Sequence, residues 1–291
     1  MPRTPTIAVL LLGSLAAAQA QQAPSPGPSR SAVDSAFASI EALVAKIRTT
    51  PPAKRSPLLD RLYERCDGFL RIHFDDATPA QRRLAGVTWL QLSGRAKDRD
   101  AFRRRLAALL RRNDLPPDLA RAARRYSAQL ALGPGRPAPD FAVSDLRAEA
   151  PLRREGLAGR IALIVFWAAG NPSATVFVER KIAPLSARFG ERPGFLLVSV
   201  GEPGVGESPA AQRAWADAHG ASWAHGYDAD GACAVAYGVT ELPYLALVDA
   251  KGKLLAIGPG WRTIRRVEAL LRERLAPSPA SDDPPAPTAG D

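Results

Sequence analysis

Two cysteines and three histidines are the side chains of this 291-residue sequence that could supply a thiol nucleophile, a redox couple or a zinc ligand. The cysteines, Cys66 and Cys233, lie far apart in the sequence. A disulfide bond between them would need Cα atoms within about 7 Å. Free cysteines also serve as small apolar core residues. The sequence leaves open whether the two are bridged or separately buried.

The histidines, His73, His219 and His225, are scattered along the chain rather than clustered with cysteines. Zinc sites need several such ligands at short, regular spacing. A serine triad at Ser173 is not indicated either, because no histidine lies near it in sequence and no carboxylate is evident to orient one. The sequence therefore predicts no metal site and no cofactor.

Alternating strand and helix patterns over residues 138–275 predict an α/β layer fold. The run Ile161–Trp167 is continuously apolar and rich in β-branched residues, as in a central buried strand. A helix is expected at about 172–189. The remaining expected elements are a strand at 195–200, helices at 209–219 and 231–237 flanking a short extended piece at 223–227, a hairpin of strands at 243–249 and 253–257, and a closing helix at 262–275.

Four motifs in this half occur in the order found in one known family. They are Ala138-Pro139-Asp140-Phe141, Phe166-Trp167-Ala168, Tyr237-Gly238-Val239 followed by Pro243-Tyr244, and Asp249-Ala250-Lys251-Gly252-Lys253-Leu254. On these motifs, residues 138–275 resemble the TlpA/ResA-type branch of the thioredoxin-like superfamily, close to the redoxin and alkyl-hydroperoxide-reductase-like domains. The resemblance implies a central mixed sheet with flanking helices, a cis peptide bond before Pro243, and an ancestry in thiol-disulfide or antioxidant chemistry.

The family's two catalytic cysteines are missing. At the matching positions this chain has Asn171 and Ala174. The family chemistry needs a thiolate at the first position and a second thiol to resolve the mixed disulfide. An amide and a methyl group provide neither. Asn171 is instead expected to cap a helix that has Pro172 at its first position.

A binding surface is what the resemblance leaves at this site. In the family, the turn before the first helix and the loop with the cis-proline form a groove for extended polypeptide, bound through backbone hydrogen bonds. We call the corresponding region here the helix-tip groove; it comprises Trp167, Gly170, Asn171, Pro172, Ala174, Leu242 and Pro243. The leading prediction is a redox-inactive protein that binds protein or peptide clients or organises the envelope.

The alternative is a thiol-disulfide oxidoreductase or peroxidase that uses Cys233, with or without Cys66. The spacing of Cys233 and Tyr237 places both on one face of a short helix and favours a core position for the thiol. The peroxidatic cysteine of related redoxins belongs near residues 168–174, where this chain has none. No cysteine of this chain therefore matches a catalytic residue of the family. The sequence favours a protein that is not an enzyme.

Residues 32–131 predict an all-helical domain, with apolar residues at three- and four-residue spacing. The expected helices are 32–48, 56–73, 78–93, 98–112 and 116–131. Thr78-Pro79 and Asp98 are expected to begin two of them. A Gly/Pro linker is expected at 132–137, where the domain boundary is placed.

Positive charge is concentrated in the helical half. Residues 31–137 contain 21 Lys and Arg against 11 Asp and Glu, whereas residues 138–275 contain 16 against 15. Runs at Arg103–Arg105, Arg111-Arg112 and Arg124-Arg125 suggest a further alternative, an anionic-polymer binder of the cell envelope. Nucleic acid is disfavoured as a ligand, because no aromatic residues that could stack on bases lie between the arginines. Solvated helix faces explain the same runs more simply.

The two ends of the chain carry signals of their own. Arg3, the apolar run Ile7–Leu12 and Ala18-Gln19-Ala20 predict a signal peptide over 1–20, cleaved near Ala20, followed by a linker at 21–31. No run is long enough to span a membrane. Residues 276–291 are expected to be a disordered tail. The expected location is periplasmic or extracellular.

Overall fold

The computed structural model describes residues 28–203 and 208–275. The predicted signal peptide, most of the predicted 21–31 linker and the predicted tail lie outside the described residues. The chain divides into two compact units, Met1–Leu130 and Ala131–Asp291. Each unit has its own hydrophobic core.

The described part of the N-terminal unit is helical, which confirms the predicted all-α region. Its helices are α1 (Pro28–Thr49), α2 (Ser56–Ile72), α3 (Pro79–Gln91), α4 (Arg99–Leu110) and α5 (Pro117–Ala131). Short 3₁₀ turns at Pro52–Lys54 and Ser93–Arg95 follow α1 and α3. Helix α1 begins at Pro28, so the last residues of the predicted linker are helical.

Local capping explains where two of these helices begin. The Thr78 hydroxyl accepts a hydrogen bond from the Gln81 N–H, and the Gln81 side chain accepts one from the Thr78 N–H. The Asp98 carboxylate accepts from the N–H groups of Asp100 and Ala101, each at 2.9 Å. These caps satisfy N–H groups that a helix cannot pair internally. Both predicted starts are confirmed.

The helical core is built around two aromatic rings. Trp89 of α3 packs on Phe102 of α4 with ring centroids 4.7 Å apart. The Trp89 Nε1–H donates to Asp67 of α2 at 3.1 Å, and Asp67 is also ion-paired with Arg105. Three helices are thus tied together at one place, with the indole N–H satisfied where burial would otherwise make it costly.

A seven-stranded sheet organises the described part of the C-terminal unit, in the order β2-β1-β5-β4-β3-β6-β7. The strands are β1 (Ala142–Asp145), β2 (Leu152–Arg153), β3 (Ile161–Trp167), β4 (Phe195–Gly201), β5 (Ala224–Tyr227), β6 (Tyr244–Val248) and β7 (Leu254–Pro259). Strand β3 pairs in parallel with β4 and antiparallel with β6. This mixed sheet is the arrangement that the resemblance implies, and the predicted thioredoxin-like fold class is confirmed.

Helices cover both faces of this sheet. They are α6 (Pro172–Phe177), α7 (Ala183–Phe189), α8 (Pro209–Ala218), α9 (Ala232–Ala236) and α10 (Gly260–Arg274). Alternate residues of β3 divide between two cores. Ala162, Ile164 and Phe166 pack in one, and Leu163, Val165 and Trp167 pack in the other. We call these the α9-side core and the α6-side core, after the helices that they include.

The structure differs from the sequence-based expectations at three places. The single helix expected at 172–189 contains a π-helical turn at Val178–Ile182, because Pro184 has no N–H to continue the regular ladder. Strands β1 and β2 were not expected. Part of the expected linker is hydrogen-bonded to β7. The Gly135 N–H donates to the Leu254 carbonyl, and the Leu254 N–H donates to the Arg136 carbonyl.

Candidate functional site

The candidate site lies where β3 ends and β6 begins. Phe166 of β3 pairs with Tyr244 of β6 in an antiparallel ladder, so the residues after β3 and before β6 meet at one edge of the sheet. Trp167, the last residue of β3, pairs with Gly201, the last residue of β4. The sheet register therefore brings the 168–174 turn and the Leu242-Pro243 loop to the same edge.

Asn171 begins α6 as the sequence predicts. Its side-chain oxygen accepts hydrogen bonds from the N–H groups of Ser173 at 3.0 Å and Ala174 at 3.2 Å. Asn171 has extended backbone angles, and Pro172 follows in the first helical turn. The Asn171 amide oxygen is thus committed to capping the helix.

The Leu242–Pro243 peptide bond is cis, as the resemblance implies. The Pro243 carbonyl accepts a hydrogen bond from the Gly260 N–H at 2.8 Å, which ties this loop to the start of α10. A Cβ at position 260 would lie 3.0 Å from both the Phe177 ring and the Pro243 ring. Glycine is therefore the residue that lets α6, the cis-proline loop and α10 come together.

Trp261 is a residue of this region that the sequence analysis missed. Its indole N–H donates to the Ser173 hydroxyl at 3.2 Å, and its ring meets Phe177 edge-on at a centroid distance of 4.9 Å. It nevertheless remains 47% exposed. The signal available in the sequence was a tryptophan directly after Gly258-Pro259-Gly260, at a helix start.

Not all residues of the predicted groove contribute surface. The side chains of Trp167 and Ala174 belong to the α6-side core and are almost fully buried, and Pro243 is also buried. The resemblance placed them in the groove. The alternation of side chains along β3 instead turns Trp167 inward, where its ring centroid lies 4.6 Å from that of Trp215. The exposed or half-exposed members are Gly170, Asn171, Pro172 and Leu242.

Cys233 lies away from the α6 tip. It belongs to the α9-side core with Phe166 and Tyr237, whereas Ala174 belongs to the α6-side core on the other face of the sheet. It is 3% exposed. Burial, together with the negative charges of Asp228 and Glu202, raises the pKa of the Cys233 thiol well above its usual range. A thiolate nucleophile needs the opposite conditions.

Asp228 holds the start of α9 and was also missed by the sequence analysis. Its two carboxylate oxygens accept hydrogen bonds from the N–H groups of Cys233 at 3.1 Å and Ala234 at 2.8 Å. Burial raises the pKa of the carboxyl, although these two hydrogen bonds oppose the shift. The side chain therefore positions α9 and places a negative charge against the thiol.

Cys66 is fully buried in α2, and burial raises the pKa of its thiol to about 12. Both cysteines are free. The interdomain bridge that the sequence left open is absent from the structure, and the core reading of each thiol agrees with its burial.

The histidines have packing roles. His225 is buried and hydrogen-bonded to Ser199. His219 stacks on Trp215 at 4.3 Å, and His73 packs on Phe69 at 5.7 Å. Within residues 28–203 and 208–275, no group of three His, Cys, Asp or Glu side chains is arranged to hold a metal ion. No helix in that part of the chain is long and apolar enough to cross a membrane.

The fold and the site together define the class of protein. The C-terminal unit has a thioredoxin-like fold in which the tip of α6 carries an N-cap asparagine, beside a cis-proline loop and an exposed tryptophan.

The solved structures to which this chain is similar include thiol-disulfide oxidoreductases. The thioredoxin domain of a thiol-disulfide oxidoreductase from Bacteroides vulgatus is 22% identical, with 48% of this chain and 98% of that chain covered and a TM-score of 0.41. A putative thiol:disulfide interchange protein DsbE from Chlorobium tepidum is 25% identical, with 50% and 97% covered and a TM-score of 0.41. A secreted disulfide oxidoreductase from Mycobacterium tuberculosis is 20% identical, with 39% and 79% covered and a TM-score of 0.34.

No protein-family model matches the sequence, and no curated protein matches it. The fold assignment therefore rests on the strand order, the register and the cis-proline loop of this chain.

Proposed function

We propose that this protein is an exported, redox-inactive thioredoxin-like protein that binds extended polypeptide at the helix-tip groove. The observation that carries this proposal is the capping role of Asn171. Its carboxamide oxygen is hydrogen-bonded to two N–H groups of α6, at the position where thiol chemistry would need a sulfur atom. A carboxamide cannot exchange electrons with a disulfide.

Free backbone groups support peptide binding. Leu242 is half-buried, and within residues 28–203 and 208–275 neither its N–H nor its carbonyl has a hydrogen-bond partner. The adjacent Pro243 carbonyl is already paired with Gly260. An extended segment that pairs with Leu242 would satisfy both groups by strand addition.

Trp261 supplies the apolar part of the same surface. A half-exposed indole anchored through Ser173 and Phe177 is a rigid, amphipathic contact for a client side chain. Tryptophan is among the residues that contribute most to binding energy at interfaces. The groove therefore combines unpaired backbone with a fixed aromatic anchor.

The binding test uses reduced, carboxymethylated α-lactalbumin, a permanently unfolded polypeptide, as the probe. Amide shifts are expected at 170–174 and 242–244 in NMR titrations of the full chain. Trp261→Ala should weaken binding by roughly tenfold or more. The matched control is Ile72→Ala, which removes a side chain that is 59% exposed in the other unit and should change nothing. Absence of shifts at the groove would overturn the binding proposal.

The redox part has a separate test. Insulin reduction and peroxide consumption by the full chain should not exceed the uncatalysed background. Turnover that disappears in Cys233→Ser would establish the oxidoreductase or peroxidase alternative and remove the redox-inactive assignment, whatever the outcome of the binding titration. Cys66→Ser separates the contributions of the two thiols.

Export is also part of the proposal and rests on the sequence of residues 1–20. When the full chain is expressed in a Gram-negative host, the protein recovered from the periplasm should begin at or near Gln21. Retention in the cytoplasm with an uncleaved N-terminus would contradict it.

A further inference from the structure

A basic cleft lies in the helical unit, where the end of α4, the connecting loop and the first two turns of α5 line a cavity of about 510 Å³. Arg112, Asn113, Arg121 and Arg124 contribute its polar lining. We call this region the arginine cleft. Its size falls within the range of roughly 300–1,000 Å³ that is typical of small-molecule sites.

Two of the three arginines that line the arginine cleft, Arg121 and Arg124, are not neutralised by a neighbouring acid among the described residues. Arg121 and Arg124 lie on one face of α5, and within residues 28–203 and 208–275 neither has an ion pair or hydrogen bond. No aspartate or glutamate lines the cavity. Like charges on adjacent helical turns repel each other, so this arrangement costs stability until an anion is bound.

Arg112 is held in place from outside the cleft. Its guanidinium is ion-paired with Asp75 and Asp114 and lies over the Phe74 ring at 4.3 Å from the centroid. The side chain is therefore preorganised, which lowers the entropy that a ligand must remove on binding. The two aspartates fix its position, while the guanidinium groups of Arg121 and Arg124 keep their donors available.

The run of three arginines in α4 differs from Arg121 and Arg124 of the arginine cleft. Arg103, Arg104 and Arg105 of α4 are each ion-paired with an aspartate: Asp100, Asp98 and Asp67, respectively. Arg103–Arg105 is one of the three runs that suggested a polymer-binding surface in the sequence. The structure pairs these three arginines within the fold, whereas Arg121 and Arg124 of α5 have no ion pair or hydrogen bond within residues 28–203 and 208–275.

We propose that the arginine cleft binds a phosphate group, either free phosphate or the phosphate of a small phosphomonoester. Guanidinium groups present paired N–H donors that match phosphate oxygens, and several of them can share one dianion. The first turn of α5 also lines the cleft at Pro117, where the helix dipole favours negative charge. The site belongs to the helical unit and is independent of the helix-tip groove.

The test is calorimetric titration of the full chain at low ionic strength with inorganic phosphate, glycerol phosphate and, as the carboxylate control, acetate. Phosphate or its ester should bind, and acetate should not. Comparable affinities for the two phosphates identify the phosphate group as the ligand, and tighter binding of the ester shows that the cleft also contacts the organic part.

Arg121→Gln/Arg124→Gln should weaken phosphate binding by roughly tenfold or more. The matched control, Arg103→Gln/Arg104→Gln, removes the same charge from α4 and should leave the affinity within about twofold. Circular dichroism establishes that both variants are folded. The proposal is overturned if neither phosphate binds, if acetate binds as tightly, or if the control variant weakens binding equally.

Discussion

Asn171 is the residue that holds the start of α6. In the TlpA-type domains that residues 138–275 resemble, the corresponding position carries the attacking thiol. Here the side chain accepts two first-turn N–H groups instead. The start of α6 is thus favourably capped.

Replacing Asn171 with alanine should lower the free energy of unfolding by about 1 kcal/mol, because two N–H groups lose their acceptor. Urea denaturation of the full chain measures this loss. Asn171→Asp retains an acceptor oxygen at the helix N-terminus and should stay close to the parent value. Equal stability of the alanine variant would mean that the cap contributes nothing.

The two cysteines should be inert in the folded protein, since burial raises the pKa of both thiols. Iodoacetamide labelling followed by intact-mass measurement should add no mass under native conditions and two labels in denaturant. Val176→Cys, which places a thiol at a position that is 36% exposed, is the matched control and should be labelled without denaturant. Native labelling at Cys233 would revive the oxidoreductase alternative.

At the scale of elements, two glycines within helices of the N-terminal unit have opposite surroundings. Gly68 of α2 has open space where a Cβ would be. At Gly86 of α3, a Cβ would lie 2.5 Å from a methyl carbon of Leu119, a fully buried residue of α5. The absence of a side chain at Gly86 therefore allows α3 and α5 to pack closely.

Gly68→Ala should raise the free energy of unfolding by about 0.5–1 kcal/mol, because alanine is the better helix former. Gly86→Ala should lower it by about 1–3 kcal/mol despite the same propensity gain, because the buried Leu119 cannot move aside freely. Urea denaturation of the two variants measures the difference. A stabilised Gly86→Ala variant would show that α5 can shift without cost.

On the scale of the whole molecule, the buried imidazole of His225 links stability to pH. Its Nε2–H donates to the Ala221 carbonyl, which leaves Nδ1 to accept from the Ser199 hydroxyl. Burial lowers the pKa of His225 to about 4 and is the largest influence on it. The hydrogen bond to the Ala221 carbonyl opposes this shift, the positive charge of Arg147 adds to it, and the negative charges of Asp145 and Asp217 oppose it. The folded state therefore favours the neutral ring.

The unfolded chain takes up a proton at His225 near pH 6.5, well before the folded protein does. Stability from this group is complete above that pH and is lost as pH falls toward 4. Between pH 7 and pH 4.5 the loss should be about 2–3 kcal/mol. Urea denaturation at both pH values should show a smaller pH effect in His225→Gln than in the parent.

His219→Gln is the control for this pH effect, because its side chain is 41% exposed and it should retain the parent's dependence. Comparing the variants separates His225 from the carboxylates that also titrate in this range. An identical pH dependence in the parent and in His225→Gln would exclude His225 as the source.

The sequence by itself determined the five N-terminal helices, the order of elements from β3 to α10, the capping of α6 by Asn171 and the lack of a cysteine in the turn at 168–174. These follow from local signals: apolar periodicity, cap residues and motif spacing act over a few residues and survive in any tertiary context. Only the tertiary structure placed Cys233 and the α6 tip on opposite faces of the sheet, buried Trp167 and exposed Trp261. The physical reason is that burial and ion pairing depend on contacts between distant segments. Sequence spacing does not contain that information. It likewise could not distinguish the ion-paired run Arg103–Arg105 of α4 from Arg121 and Arg124 of α5, which have no ion pair within residues 28–203 and 208–275.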